Sequence, residues 1–203
     1  VSDVSKKGEQ HIIQIKMQLP NRKFVDSQDI LKEGVNILNG VLNNQVTQDG
    51  GFKKESFLQE KENLKEKIEG RINDKMKLAV ERCVEEMCDD EKYSIYEYGS
   101  IEELEKIDEK ELYKYFKDII ATSPIDIFIV GDVEENEVKD LFSQSLKFNR
   151  GEIISIPREE INKTITAVKE AEDNFNINQG KVTLGYRTNI PYESELYESA
   201  ILF

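Results

Sequence analysis

The chain has 203 residues, 38% of them hydrophobic and 34% charged, enough to bury a core and too apolar for a disordered polyelectrolyte. A formal net charge of -13 excludes a phosphate-tracking surface, so nucleic acid is not an expected partner and basic peptides are favoured instead. The longest apolar run, in SPIDIFIVGDV, is far too short to span a bilayer, and no signal-peptide pattern opens the chain, so a cytoplasmic location without membrane contact is expected.

The segment GEQHIIQIKMQLPN alternates. Ile13, Ile15, Met17 and Leu19 share one face while Gln14, Lys16 and Gln18 take the other, which predicts a half-buried antiparallel strand stopped by Pro20-Asn21. A helix follows from about Asp29 to Asn43, with Leu31, Val35, Leu38, Val41 and Leu42 inward. Residues 43–51 read as a polar turn ending in Gly-Gly. Next comes one long helix from about Phe52 to Met87, disturbed near Gly70. Its apolar stripe is Phe57, Leu64, Ile68, Ile72, Met76, Val80, Val84 and Met87.

Three pairs then carry the spacing of capping boxes: Ser100 with Glu103, Asp108 with Glu111, and Asp132 with Glu135. They announce a short helix, a helix with Leu112, Tyr115, Phe116, Ile119 and Ile120 inward, and a last helix from Glu134. Between the last two, IDIFIV is bounded by Pro124 and Gly131 and predicts a central strand buried on both faces, in the same sheet as the His11 strand. RGEIISIPREEIN lacks a helical period and reads as a linker, after which TITAVKEAE and GKVTLGYRTN return to strand and a helix starts after Pro191. The expected fold class is α+β, mostly antiparallel sheet with helices on one face. Residues 1–149 form one domain, 150–163 a linker, and 164–203 the opening of a second α+β domain. A start at Val1 beside a strand and a stop at Phe203 in an apolar run suggest an internal fragment of a longer protein.

Chemistry-bearing residues are few. Cys83 and Cys88 lie five apart on a helix, about 140° around it, so they read as packing thiols and not as a shared metal or disulfide pair. His11 is the single histidine, too few for a self-contained zinc site or a supported nucleophilic triad. Gly131-Asp132 after a strand is not a dinucleotide or phosphate-loop fingerprint. Glu60 and Lys67 lie seven apart beside the apolar stripe, on nearly the same side of the helix. Charges in such places are commonly solvated rims of a buried stripe.

The entry FLQEKENLKEKI, the YEYGS before a short helix, LYKYFKDIIATSPIDIFIVGDV and QGKVTLGYRTNIPY together resemble the inverted-zincin peptidases, the family of pitrilysin, insulysin and mitochondrial processing peptidase. In that family H-x-x-E-H supplies two zinc-binding histidines and a Glu that activates water. The third ligand is a Glu roughly seventy or more residues downstream, so H-x-x-E-H would fall before Val1 and its absence here is uninformative. The ligand helix carries a supporting Glu and, seven residues on, the ligand Glu followed by an aliphatic residue. The resemblance puts Glu60 in the supporting place, Ile68 in the aliphatic one, and Lys67 where the ligand belongs. An ammonium has donors only and repels Zn²⁺. Glu66 points about 100° away and breaks the match at Ile68.

SKKGEQHII, ERCVEEMC and GYRTN further resemble the non-catalytic member of a bacterial insulinase-like pair. That resemblance implies an inert subunit completing a peptide-binding chamber with an active peptidase paralogue, with zinc held by the partner or elsewhere in the parent chain. No catalytic residue and no metal ligand is assigned, and Tyr186 and Arg187 are candidate peptide contacts. Two alternatives stand beside this reading: an active zinc metalloendopeptidase with H-x-x-E-H upstream, and a non-enzymatic α+β binding or scaffold module.

Overall fold

The structure is a computed structural model describing residues 2–25, 29–159, 161, 165–176, 178–188, 190 and 193–202. It is α+β, with helices interleaved with two small antiparallel hairpins. The chain divides into two compact units, one of Val1–Ile68 with Glu97–Arg158 and one of Glu69–Tyr96 with Glu159–Phe203.

The first unit opens with a hairpin, β1 (Ser2–Lys7) and β2 (Gln10–Ile15), in which Lys7 pairs with Gln10 and Ser2 with Ile15. Gly8 sits at φ +61, which the two-residue turn requires. α1 (Ile30–Asn43) buries Gly34 and Val35, and Val35 is only 1% exposed. Leu31, Leu38 and Leu42 share this face in part, whereas Val41, expected inward, is exposed. The second hairpin, β3 (Thr47–Gln48) and β4 (Gly51–Phe52), occupies what the sequence suggested was a plain polar turn. The reason is Asp49-Gly50, whose φ values of 52 and 82 close a tight antiparallel turn.

β4 packs on α5 (Glu109–Thr122), where Phe52 meets the rings of Tyr113 and Phe116 edge-on at 5.2 and 5.8 Å. The inward face of α5 is thus Tyr113, Phe116, Ile119 and Ile120. Leu112 and Tyr115, expected inward, are exposed. α2 (Lys54–Glu69) buries Phe57, and α4 (Ile101–Lys106) buries Leu104. Two of the three expected caps form: the Ser100 hydroxyl accepts from Glu103 N, and the Asp108 carboxylate accepts from Lys110 N and Glu111 N. The third does not. α6 (Glu135–Ser145) begins after Glu134, while Asp132 is drawn away to Lys23 Nζ at 2.5 Å and Asn21 Nδ2 at 3.4 Å. α6 packs on α1 and buries Val138.

Two strand expectations fail here. Residues 125–130 form no regular element and pair with nothing among the described residues, and Phe128 and Val130 are 89% and 100% exposed. β2 pairs with β1 and not with this run, and its own Ile12 and Ile13 are exposed. A β-rich sequence becomes a buried central strand only when neighbours supply both a ladder and a covering layer, and the described residues supply neither. The linker is anchored at its start. Arg150 donates to the carbonyls of Ile120 and Ser123, and the amides of Gly151 and Ile154 donate to those of Ala121 and Thr122.

In the second unit the expected single helix is broken. After α2 the chain makes a 3-10 turn at Gly70–Asn73, and α3 (Lys75–Met87) restarts under an Asp74 cap that accepts from Lys77 N at 3.0 Å. Gly70 weakens the helix and Asn73-Asp74 supplies a fresh start signal, so two helices form. The break shifts the register: Leu78 is buried, whereas Ile72, Met76 and Val80 of the anticipated stripe are exposed. α7 (Tyr197–Leu202) follows residues 165–176 and 178–188, which form neither helix nor strand ladder among the described residues. The linker end at Lys163, the strand start at Thr164, Asn189 of GYRTN, the helix start at Pro191, and both termini, Val1 and Phe203, lie outside the described residues.

Candidate functional site

Glu60 and Lys67 both lie on α2, as the seven-residue spacing requires, and both are exposed. Glu60 Oε2 accepts from Asn63 Nδ2 at 3.3 Å, one turn along the helix. Lys67 sits in the last turn, where a cation complements the helix dipole, and its Nζ lies 4.3 Å from the ring centroid of Tyr98 in the YEYGS segment. The neighbouring Lys61 donates to the carbonyls of Glu105 and Ile107 at 3.1 and 3.0 Å, fastening α2 to the end of α4.

These residues do not fit a zinc ion. A ligand must offer a lone pair, and an ammonium is a donor only. Among the described residues no group of three or more His, Cys, Asp or Glu side chains could hold a metal ion. His11 lies in β2, which pairs it with Lys6.

Tyr186 and Arg187, the two candidate peptide contacts, have opposite surroundings. Tyr186 is 77% exposed, whereas the Arg187 side chain is 15% exposed and engaged. Its Nη2 donates to the Glu91 carboxylate, to the Met87 carbonyl at 3.4 Å and to Cys88 Sγ at 3.0 Å. Glu91 is itself buried, which the acidic run CDDEKY around it does not signal. Burial pushes the Cys88 thiol above its ordinary value, against the pull of the nearby Arg187 charge. A thiol so placed is a packing group and not a nucleophile.

Around α3 lies a network that sequence reading also missed. Arg71 donates to Glu81 at 2.5 Å and Glu85 at 2.6 Å and stacks 4.2 Å from the Tyr96 ring. Burial works against the charged guanidinium, yet the two carboxylates more than offset it and raise its pKa. Its locally spaced part is Arg82 with Glu85 and Glu86, each paired at 2.8 Å, and Lys77 with Glu81 at 3.7 Å.

No family model matches the chain. It is 29% identical over all 203 residues to "Probable inactive metalloprotease YmfF" of Bacillus subtilis (strain 168), and it spans 47% of that relative's length. It is also similar to the crystal structure of a conserved protein from Enterococcus faecalis V583, with a TM-score of 0.70 and 31% identity, over 81% of this chain and 39% of that one. The chain therefore spans less than half of either relative. No helix among the described residues is long and apolar enough to cross a membrane. Over its whole length the chain is thus similar to a protein named as an inactive metalloprotease, and its α+β fold is shared with a solved bacterial structure.

Proposed function

We propose that this chain is part of a catalytically inert, insulinase-like subunit of the inverted-zincin family, which pairs with an active zinc peptidase to enclose peptide substrates. The observation that carries the reading is Lys67. Its ammonium occupies the place that the family resemblance gives to a zinc-binding carboxylate, and it rests on Tyr98. The name of the Bacillus subtilis relative agrees with such a loss. In this reading the protein is cytoplasmic, the zinc belongs to the partner, and the contribution of the inert half is to hold and orient peptide, an effect of proximity and not of added chemistry.

The test is peptide hydrolysis by the full-length protein, by an active paralogue and by their mixture, each with and without chelator. The expected result is no cleavage by the protein alone at any zinc concentration and faster cleavage in the mixture. The purified protein should also carry no stoichiometric zinc by elemental analysis, because Lys67 supplies no lone pair. Chelator-sensitive cleavage by the protein alone would establish instead an active peptidase with its H-x-x-E-H upstream. Absence of enhancement in every mixture would leave a binding or scaffold module.

A further inference from the structure

Residues 165–176 and 178–188 lie along α3 as two arms running in opposite directions. On the first arm Lys169 Nζ reaches Glu86 Oε2 at 3.0 Å and Asp89 Oδ2 at 2.8 Å, and Asp173 accepts from Arg82 Nε at 2.8 Å. The partners on α3 and the residues just after it thus step back from Asp89 and Glu86 to Arg82 as the arm advances. On the second arm Gly185 abuts Cys83 Sγ and Met87 Sδ, and Arg187 reaches Met87, Cys88 and Glu91, so the partners step forward. Between the arms, Asn176, Asn178, Gln179 and Lys181 border an open cleft of about 300 Å³ with Lys75, at the start of α3.

What holds these arms is charge. Their apolar side chains face away from the helix: Val168, Val182 and Leu184 are 88%, 82% and 72% exposed. Gly185 is small for a reason, since a Cβ there would come within 2.8 Å of Cys83 Sγ. The chain's two cysteines both lie beneath the second arm. That arm is fastened by one buried pair, Arg187 with Glu91, in which Arg187 Nε is left without a hydrogen-bond partner among the described residues. An uncompensated buried donor lowers the cost of opening.

We propose that residues 165–176 and 178–188 form the two arms of a strap latched electrostatically onto α3, whose opening uncovers the buried Cys88 and the part-covered Cys83 while α3 stays folded. The first arm is held by part-exposed pairs and responds to ionic strength; the second is held by the buried Arg187–Glu91 latch and responds to its removal. Gly185 is the point of closest approach, and any side chain there would prop the strap open.

The experiment measures trypsin cleavage after Lys169 relative to a free peptide of the same sequence, site-resolved thiol modification, and amide exchange of α3, in the full-length protein at low and high sodium chloride. Salt is expected to speed cleavage after Lys169 by about fivefold or more, as three part-exposed pairs are screened, with exchange of α3 unchanged. Glu91→Gln is expected to speed modification of Cys88 with α3 protection retained. Asp173→Asn, at a part-exposed position that leaves the buried latch intact, should reproduce the salt effect on the first arm alone. Cleavage at Lys169 and exchange of α3 changing in step, at every salt concentration and in Asp173→Asn, would overturn the proposal, because the arms would then be one cooperative unit with the helix. So would unchanged Cys88 reactivity in a folded Glu91→Gln protein.

Discussion

Replacing Gly51 by Ala tests the packing of β4 on α5 at one atom. A Cβ at Gly51 would lie 2.9 Å from the Glu109 carbonyl oxygen, 3.0 Å from its carbonyl carbon and 3.0 Å from Lys110 Cγ. Two of these neighbours are backbone at the first turn of α5, and that turn is fixed by the Asp108 cap on the amides of Lys110 and Glu111. The strand cannot retreat freely either, since Phe52 follows and is seated edge-on against Tyr113 and Phe116. Overpacking of this kind costs about 1–3 kcal/mol. For a chain of this size that lowers Tm by about 2–4 °C per kcal/mol. Gly34→Ala is the control. Its Cβ would lie 2.6 Å from Leu19 Cδ1, the far end of a flexible side chain, and Ala gains up to about 1 kcal/mol over Gly inside a helix, so its net effect should be small. The assay is urea denaturation of both variants, read as a shift in midpoint at unchanged slope. Equal stability of Gly51→Ala and the unmodified protein would refute the argument.

Asp74→Ala should cost about 1 kcal/mol by removing the cap of α3, whereas Asp132→Ala should cost less because Asp132 caps nothing; urea midpoints compare them directly. The Lys169 hydrogen bond holds the Glu86 carboxyl below its ordinary value, so its stabilisation is complete above the unfolded value of about 4.3 and is lost as pH falls through the lower folded one. Lys169, raised by Asp89 and Glu86, contributes below about 10.4 and loses that contribution as pH climbs through its raised value. Lys169→Met should flatten both limbs of stability against pH, and identical limbs in the two proteins would contradict the pairing. Limited trypsin should cut first after Arg158, since residues 150–154 are tied to the end of α5 and Glu159 accepts from Lys92 N, leaving the exposed residues 155–158 between the two anchors; a first cut within α2 would show that helix to be the weaker element.

Helices were legible in the sequence because their signals are local. Ser100 and Asp108 each find their partner amides within three residues, and no tertiary arrangement is needed to form the bond. The same locality misled at Asp132, whose carboxylate had Lys23 within reach, a hundred residues earlier in the chain. It misled again over residues 52–87, where the hydrophobic period continued across Gly70 and concealed the restart written in Asn73-Asp74. The Asp49-Gly50 turn was readable and was overlooked beneath the polar run that surrounds it.

Strands and the site depend on partners that a linear pattern does not name. IDIFIV has the composition of a buried strand, but composition specifies a preference for neighbours and does not provide them. Lys67 shows the complementary case. That a cation stands where the proposed family places a carboxylate is a reading from spacing and likeness alone. That the cation has its own place in the fold required Tyr98, thirty-one residues on, to be brought over it. The distinction matters for any attempt to reverse the change. Lys67→Glu would put a carboxylate against the negative face of the Tyr98 ring, exchanging an attraction worth about 0.5–1 kcal/mol for a repulsion and placing an anion at the negative end of α2. A carboxylate placed there should therefore lower stability without creating a metal site, because no other ligands are assembled around it among the described residues.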